Sequence, residues 1–127
     1  DVLVMPMVRG GVELAFGMVN DPQFGPVVMV CAGGVYIELL DDRKFAAAPF
    51  GEDEALHHIR SLAINKILEG SRGNPPCRVD LAAKALSQFS QVAWVLREEA
   101  AEIDLNPVVV TSNDCLVVDA LVVPKRP

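Results

Sequence analysis

The stretch "EIDLNPVVV" (residues 102–110) sets Glu102, Asp104 and Asn106 at strict two-residue spacing, interleaved with Ile103 and Leu105, before Pro107 leads into three valines. Residues two apart on an extended chain share a face. The spacing therefore predicts a strand that presents two carboxylates and an amide on one surface and buries isoleucine and leucine on the other. A half-exposed strand whose acids simply meet water has the same local pattern, so its neighbour has to be read with it.

That neighbour is "LVVDALVV" (116–123), reached through the turn formers Ser112, Asn113 and Asp114. Strands at 102–111 and 116–123 would close a hairpin. With an even number of loop residues, opposed positions sum to an odd number. Asp119 then shares the face of Asn106 and Asp104, opposite or diagonal to Asn106, with Cβ atoms roughly 4.5–8 Å away. Asp119 is the one polar residue of its run, and burying a lone carboxylate there is costly unless it is paired or metal-bound. Carboxylates and an amide oxygen, with no soft ligand, suit a hard cation. Mg²⁺ takes near-octahedral oxygen ligation at about 2.0–2.1 Å and leaves part of its shell to phosphate. A lysine or arginine from elsewhere in the sheet would satisfy the same acids, and the residues alone leave both readings open.

Working back towards the N-terminus, Val12, Leu14, Phe16 and Met18 alternate with Glu13, Ala15 and Gly17, a period of two that predicts a strand. The turn-rich "NDPQFGP" (20–26) reads as a long hairpin loop before the apolar run Val27–Val30. "AGG" (32–34) interrupts the pattern, "VYIELL" (35–40) reads as a third strand, and "DDRK" (41–44) as a turn. From residue 53 the period becomes helical: Leu56, Ile59, Ala63 and Ile67 share a face, acids at 52–54 occupy the first turn, and Gly70 stops the helix. "SRGNPP" (71–76) cannot be helical. A second helix is expected from about Asp80 to Arg97, with Ala82, Leu86, Phe89, Ala93 and Leu96 inward. The order predicts one α+β domain over 1–127, a mainly antiparallel sheet with both helices on one face.

Composition narrows the function. The 127 residues are 51% apolar with a net charge of −6, and the eleven Lys and Arg residues form no stripe that could track a phosphate backbone, which argues against nucleic acid. No apolar run reaches the length of a membrane span. Cys31, Cys77 and Cys115 lack metal-ligand spacing and read as reduced thiols of a cytoplasmic protein. The adjacent His57 and His58 point about 100° apart on a helix, a poor chelating geometry. The opening residues look neither like a signal peptide nor like a leader, and the abrupt start inside a strand pattern suggests a piece of a longer chain. Gly33 and Gly34 could form a phosphate loop, although Gly-Gly between strands also makes a plain tight turn. Arg72, in "GSRGNPP" (70–76), could meet a phosphate or be ordinary surface. Glu13 lies on the polar face of its strand.

Four stretches, "GGVELAFGMVNDPQFGPVVMV", "AGGVYIELLDD", "LEGSRGNPP" and "EIDLNPVVV...VVDAL", stand in the order found in NDP-forming acyl-CoA synthetases, and the chain resembles the ATP-grasp module of those enzymes over nearly its whole length. It is more distantly similar to the succinyl-CoA synthetase β subunit through the final hairpin. The resemblance implies one lobe of an ATP-grasp fold, with ATP or ADP held between two lobes and Mg²⁺ bridging its phosphates. It implies an acid–thiol ligase that makes acyl-CoA, ADP and phosphate from acid, CoA and ATP through a phosphohistidine. Position by position, it implies Asn106 and Asp119 as metal ligands, Asp104 as an acid near the docked phosphohistidine, and Glu102 as its outer partner. Met5, Pro6 and Met7 match the adenine-contacting hinge, and Glu13, Gly33, Gly34 and Arg72 fall in nucleotide-side segments. Cys31 stands where the family usually has glycine. The other lobe, the CoA-binding part and the phosphohistidine segment would belong to the rest of the protein, and the isolated chain is expected to be inactive. Two other readings stand: a non-catalytic ATP-grasp-like regulatory module of a protein acetyltransferase, and a structural α+β domain with ion-paired acids.

Overall fold

A computed structural model describes residues 11–34, 41–70, 73 and 75–126. The period-two segment forms strand β1 (Val12–Asp21), with Leu14, Phe16 and Met18 fully buried. Strand β2 (Gly25–Ala32) pairs with it antiparallel, from Leu14↔Ala32 to Asp21↔Gly25. The connection is much tighter than the long loop expected from "NDPQFGP", because four of those seven residues stay in the ladder. Asp21 makes this possible: its Oδ1 accepts the backbone N–H groups of Gln23 (2.7 Å) and Phe24 (2.9 Å), and Gly25 takes φ +77°. A side chain mimics the turn, and a glycine absorbs the left-handed step.

"DDRK" is not a turn throughout, as the sequence suggested. Arg43 and Lys44 open strand β3 (Arg43–Ala47), which pairs antiparallel with β2 from Cys31↔Arg43 to Val27↔Ala47. The expected strand "VYIELL" lies outside the described residues, as do Met5, Pro6, Met7 and Arg72.

The helix expected near 53–69 is two helices, α1 (Glu52–Arg60) and α2 (Asn65–Leu68). The buried carboxylate of Asp42 causes the break. Its two oxygens accept the N–H groups of Ala63 (2.7 Å) and Ile64 (2.8 Å), which an uninterrupted helix would have used internally. The helical face is thereby reset. Leu62, Ile64 and Leu68 go inward, while Ala63 and Ile67, expected inside, face out. Helix α3 (Val79–Val95) matches its periodicity, burying Ala82, Leu86, Phe89 and Ala93. Phe50 ties α1 to α3: its carbonyl accepts Ser87 Oγ (2.8 Å) and Ser90 Oγ (3.1 Å), and its N–H donates to Ser90 Oγ (3.1 Å).

Strands β4 (Ala100–Val110), β5 (Cys115–Val117) and β6 (Ala120–Pro124) complete an antiparallel sheet. Its order is β3-β2-β1-β4-β5, with β6 also on β4. Helix α3 packs on β1, β2, β4 and β5, closing a core in which the Phe16 and Phe89 rings lie 6.1 Å apart. Among the described residues, no helix is long and apolar enough to cross a membrane.

Candidate functional site

The covered face of the sheet belongs to the helices, so the other face is where chemistry can be displayed. On β1 that face carries Glu13 and Val19, both exposed, with Gly17 half-buried and Ala15 buried between them. Across from them on β4 stand Val109 (Glu13), Asp104 (Gly17) and Glu102 (Val19). Between Leu14↔Val108 and Phe16↔Leu105 the register shifts by one residue. Asn106 and Pro107 together face Ala15, a bulge of the kind that re-aims side chains. The peptide bond between them is cis. The bulge also inverts the buried set of β4, from Ile103 before it to Val108 and Val110 after it. Proline is tolerated here because a bulge needs no ladder N–H.

The closing hairpin has the odd-sum register. Val108↔Val117 on one side and Leu105↔Ala120 on the other place Asn106 across from Asp119. The Asn106 N–H donates to the Asp119 carbonyl at 3.2 Å, and the Val118 N–H to the Pro107 carbonyl at 3.0 Å. Directly opposed residues send their side chains to one side. The opposed pair sits where both strands are interrupted, β4 by the bulge and its partner by the gap between β5 and β6.

Burial does not constrain Asp119, contrary to the expectation from its apolar run. Asp119 is exposed, as are all residues from Leu116 to Val123. No burial penalty compels a partner, because no second layer covers the strand among the described residues. Asp119 Oδ1 instead accepts the N–H of Ala120 (2.9 Å).

Asp104 and Glu102 line a hollow of about 290 Å³ whose floor is Gly17, Met29, Phe45 and Leu121. Gly17 was passed over in the sequence, although a glycine inside a strand is a known mark of close approach by a ligand or backbone. Its missing side chain leaves the space beside Asp104 open. Gly33 and Gly34 serve the backbone: Gly33 N–H donates to the Glu13 carbonyl (2.7 Å), and a Cβ on Gly33 would lie 3.1 Å from backbone atoms of Glu13 and Leu14. Gly34, at φ +60°, passes so close under Glu13 that a Cβ would sit 2.6 Å from its Oε2. The two glycines thus hold Glu13 at the upper end of the acidic line.

The open face is acidic. Among the described residues it carries the guanidinium of Arg43, which pairs with Asp41 at 3.0 Å and which the reading of "DDRK" as a turn does not reveal. Cys31, between Ala15 and Arg43, has its thiol pKa raised. Burial is the main cause, opposed by Arg43 and reinforced by Asp104 and Asp42. It is a protonated packing residue rather than a ligand.

Does this donor set suit Mg²⁺? Among the described residues no three His, Cys, Asp or Glu side chains gather closely enough to hold an ion. The amide oxygen of Asn106 and the carboxylate of Asp119 are two hard donors, open to solvent. Such a pair fits an ion that arrives with substrate phosphates and keeps water, rather than one caged by protein.

The family model of the ATP-grasp domain matches residues 1–123. The chain is 44% identical over 118 residues to acetate–CoA ligase [ADP-forming] I of Archaeoglobus fulgidus, covering 93% of this chain and 17% of that protein. It is 37% identical over 119 residues to the β subunit of acetate–CoA ligase [ADP-forming] I of Pyrococcus furiosus, covering 94% of this chain and 51% of that subunit. Among solved structures it resembles dinucleotide-forming acetyl-coenzyme A synthetase 1 of Ca. Korarchaeum cryptofilum in complex with coenzyme A and Mg-AMPPCP, its phosphohistidine segment pointing towards the nucleotide binding site. The identity is 41% and the TM-score 0.83, over 91% of this chain and 54% of that one. The chain thus spans about half the length of the β subunit it matches, and less of the Archaeoglobus fulgidus protein.

Proposed function

The chain belongs to the ATP-grasp family, and on that premise we propose that it is the nucleotide- and Mg²⁺-binding lobe of an NDP-forming acyl-CoA synthetase. The observation that carries the proposal is the opposition of Asn106 and Asp119 on the open face, one step along the strand from Asp104 and its hollow. Similarity to ADP-forming ligases supports the same reading.

In this reading Asn106 and Asp119 hold Mg²⁺ together with nucleotide phosphates. Bound there, the ion neutralises phosphate charge that an acidic face would otherwise repel, and stabilises the charge of the transferring phosphoryl group. Asn106 contributes an oxygen without charge and Asp119 a full negative charge, so Asp119 fixes the ion electrostatically and Asn106 fixes its direction. Asp104 lies on the side of the hollow. A carboxylate there accepts the N–H of an incoming imidazole and aims its other nitrogen at the terminal phosphate, with Glu102 two residues further out. The apolar floor of Met29, Phe45 and Leu121 accepts the segment that carries the imidazole and keeps water from the transfer. Phosphohistidine then passes the phosphoryl group to the acid and CoA chemistry elsewhere in the enzyme. Glu13, Gly33 and Gly34 shape the nucleotide end of the face.

The test is Asp119→Asn in the intact enzyme. The exchange keeps size and one oxygen but removes the charge, so phosphoryl transfer should fall on the order of 10²–10³-fold, with partial recovery at raised Mg²⁺. Melting should hardly change, since Asp119 is exposed and a surface substitution usually costs no more than about 0.5 kcal/mol. A destabilised but fully active variant would remove Asp119 from the site. The 127-residue chain by itself should form no acyl-CoA.

A further inference from the structure

Among the described residues, β3 and β6 stand at opposite edges of the sheet, and they are protected unequally. Strand β3 carries Arg43 and Lys44, charges that discourage another strand from pairing,. Strand β6, "ALVVP", has no charge at all, and Leu121 and Val122 are 61% and 51% exposed. It is not a frayed end. The Asn106 N–H holds the Asp119 carbonyl before it, and the Lys125 N–H donates to the Glu99 carbonyl (2.8 Å) after it. Beside it, Val92 and Leu96 of α3, with Leu105, Val117 and Val122, wall an apolar groove of about 380 Å³. Among the described residues, Val92, Val117 and Val122 stand exposed along this groove, and apolar side chains gathered in one exposed place mark an interaction site.

We propose that this groove and the β6 edge are a docking surface for the part of the same subunit that lies outside the matched region. The contact would be made by an apolar strand or helix seated between α3 and β6. The inference rests on the lobe reading above. The occupant follows from length: in the Pyrococcus furiosus β subunit and in the Korarchaeum enzyme chain, about as much polypeptide stands outside the match as within it. A second copy is a poorer occupant. Pairing β6 with itself would set Pro124, which has no N–H, opposite Ala120, and each copy carries a net charge of −6.

Hydrogen exchange read on the 116–124 peptide tests this, comparing the 127-residue chain with the full reading frame. The outward amides of β6 should exchange at least tenfold more slowly in the full protein, independent of protein concentration. Val122→Glu should lower the melting temperature and the β6 protection of the full protein while leaving the melting of the 127-residue chain unchanged. Equal exchange in the two forms overturns the proposal. So does protection that disappears on dilution, or a 127-residue chain that sediments as a dimer and is made monomeric by Val122→Glu, since either assigns the surface to a second copy. The outcome is separable from the functional reading. A full protein with protected β6 and no phosphoryl transfer would keep the docking surface and lose the synthetase. Turnover with an unprotected β6 would do the reverse.

Discussion

Val27–Val30 and Leu121–Val123 are composed of nearly the same residues and both fold as strands, yet they end in opposite environments. In β2, Val28 and Val30 are each 2% exposed, because Leu86 and Phe89 of α3 and the flanking strands complete a core over them. In β6, Val122 is 51% exposed, and its outer edge faces no strand among the described residues. The difference lies in what covers each strand, which the local residues do not encode. An apolar run states that a surface needs cover; it does not state that the cover is in the same chain.

The largest effect expected from this contrast is on stability. Phe16→Ala removes a fully buried ring from contact with Phe89, and should cost about 3–5 kcal/mol. Val122→Ala in the 127-residue chain should stay within about 0.5 kcal/mol. Denaturant unfolding of both variants measures the gap. Similar losses would show that β6 is part of the core and would end the comparison.

The same distinction explains what the sequence made legible. β1 and α3 read correctly because each packs against a contiguous core, so period two and period 3.6 are written along them. The hairpin register read correctly because one-residue slips reverse every face. What could not be read depended on distant partners. Strand β3 exists through pairing with β2, and the split of the 53–69 segment exists through Asp42, about twenty residues upstream. Spacing alone places Asp119 opposite Asn106; the burial cost expected of a carboxylate in an apolar run plays no part, because Asp119 is exposed. Gly17 and Arg43, which share the open face, were hidden by readings of strand filler and turn.

Asp42 and Asp119 make the comparison again at the level of single acids, and the next effect in size separates them. Asp42 is 9% exposed and holds two backbone N–H groups. Asp42→Ala would leave donors at Ala63 and Ile64 without their acceptor, one of them buried, at a cost of about 1–3 kcal/mol. Urea unfolding should show this loss, with protection from exchange falling first between α1 and α2. Asp42→Asn should recover part of it, since its oxygen can still accept one of the two bonds. Asp119→Asn measured alongside should leave unfolding nearly unchanged. If the two asparagine variants unfold alike, burial is not what distinguishes these acids.

The smallest effect lies at the start of α3, the helix whose inner face meets the covered strands and whose flank lines the open groove. Asp80 receives Arg78 Nε and Nη2 at 2.9 Å each. The Arg78 hydrogen bonds hold the carboxylate pKa down to about 2 against an ordinary 3.8. A carboxylate with a depressed folded-state pKa adds stability that is fully present above its unfolded pKa and is lost as pH falls through the folded one. The contribution of Asp80 should therefore be constant from neutral pH to about pH 5 and be lost as pH falls from about 4 through 2. It must also be small, because both partners are solvent-exposed and salt screens them. The backbone restrains it further: Arg78 N–H donates to the Thr111 carbonyl at 2.8 Å whatever the state of Asp80. Thermal melts of the native chain and Asp80→Asn should differ slightly at pH 7 in low salt. They should narrow steadily from pH 4 to pH 2, and converge at pH 7 in 1 M salt. A difference that does not shrink between pH 4 and pH 2 would mean that Asp80 acts through packing rather than charge, and that the anchoring of α3 over the covered strands extends to its first turn.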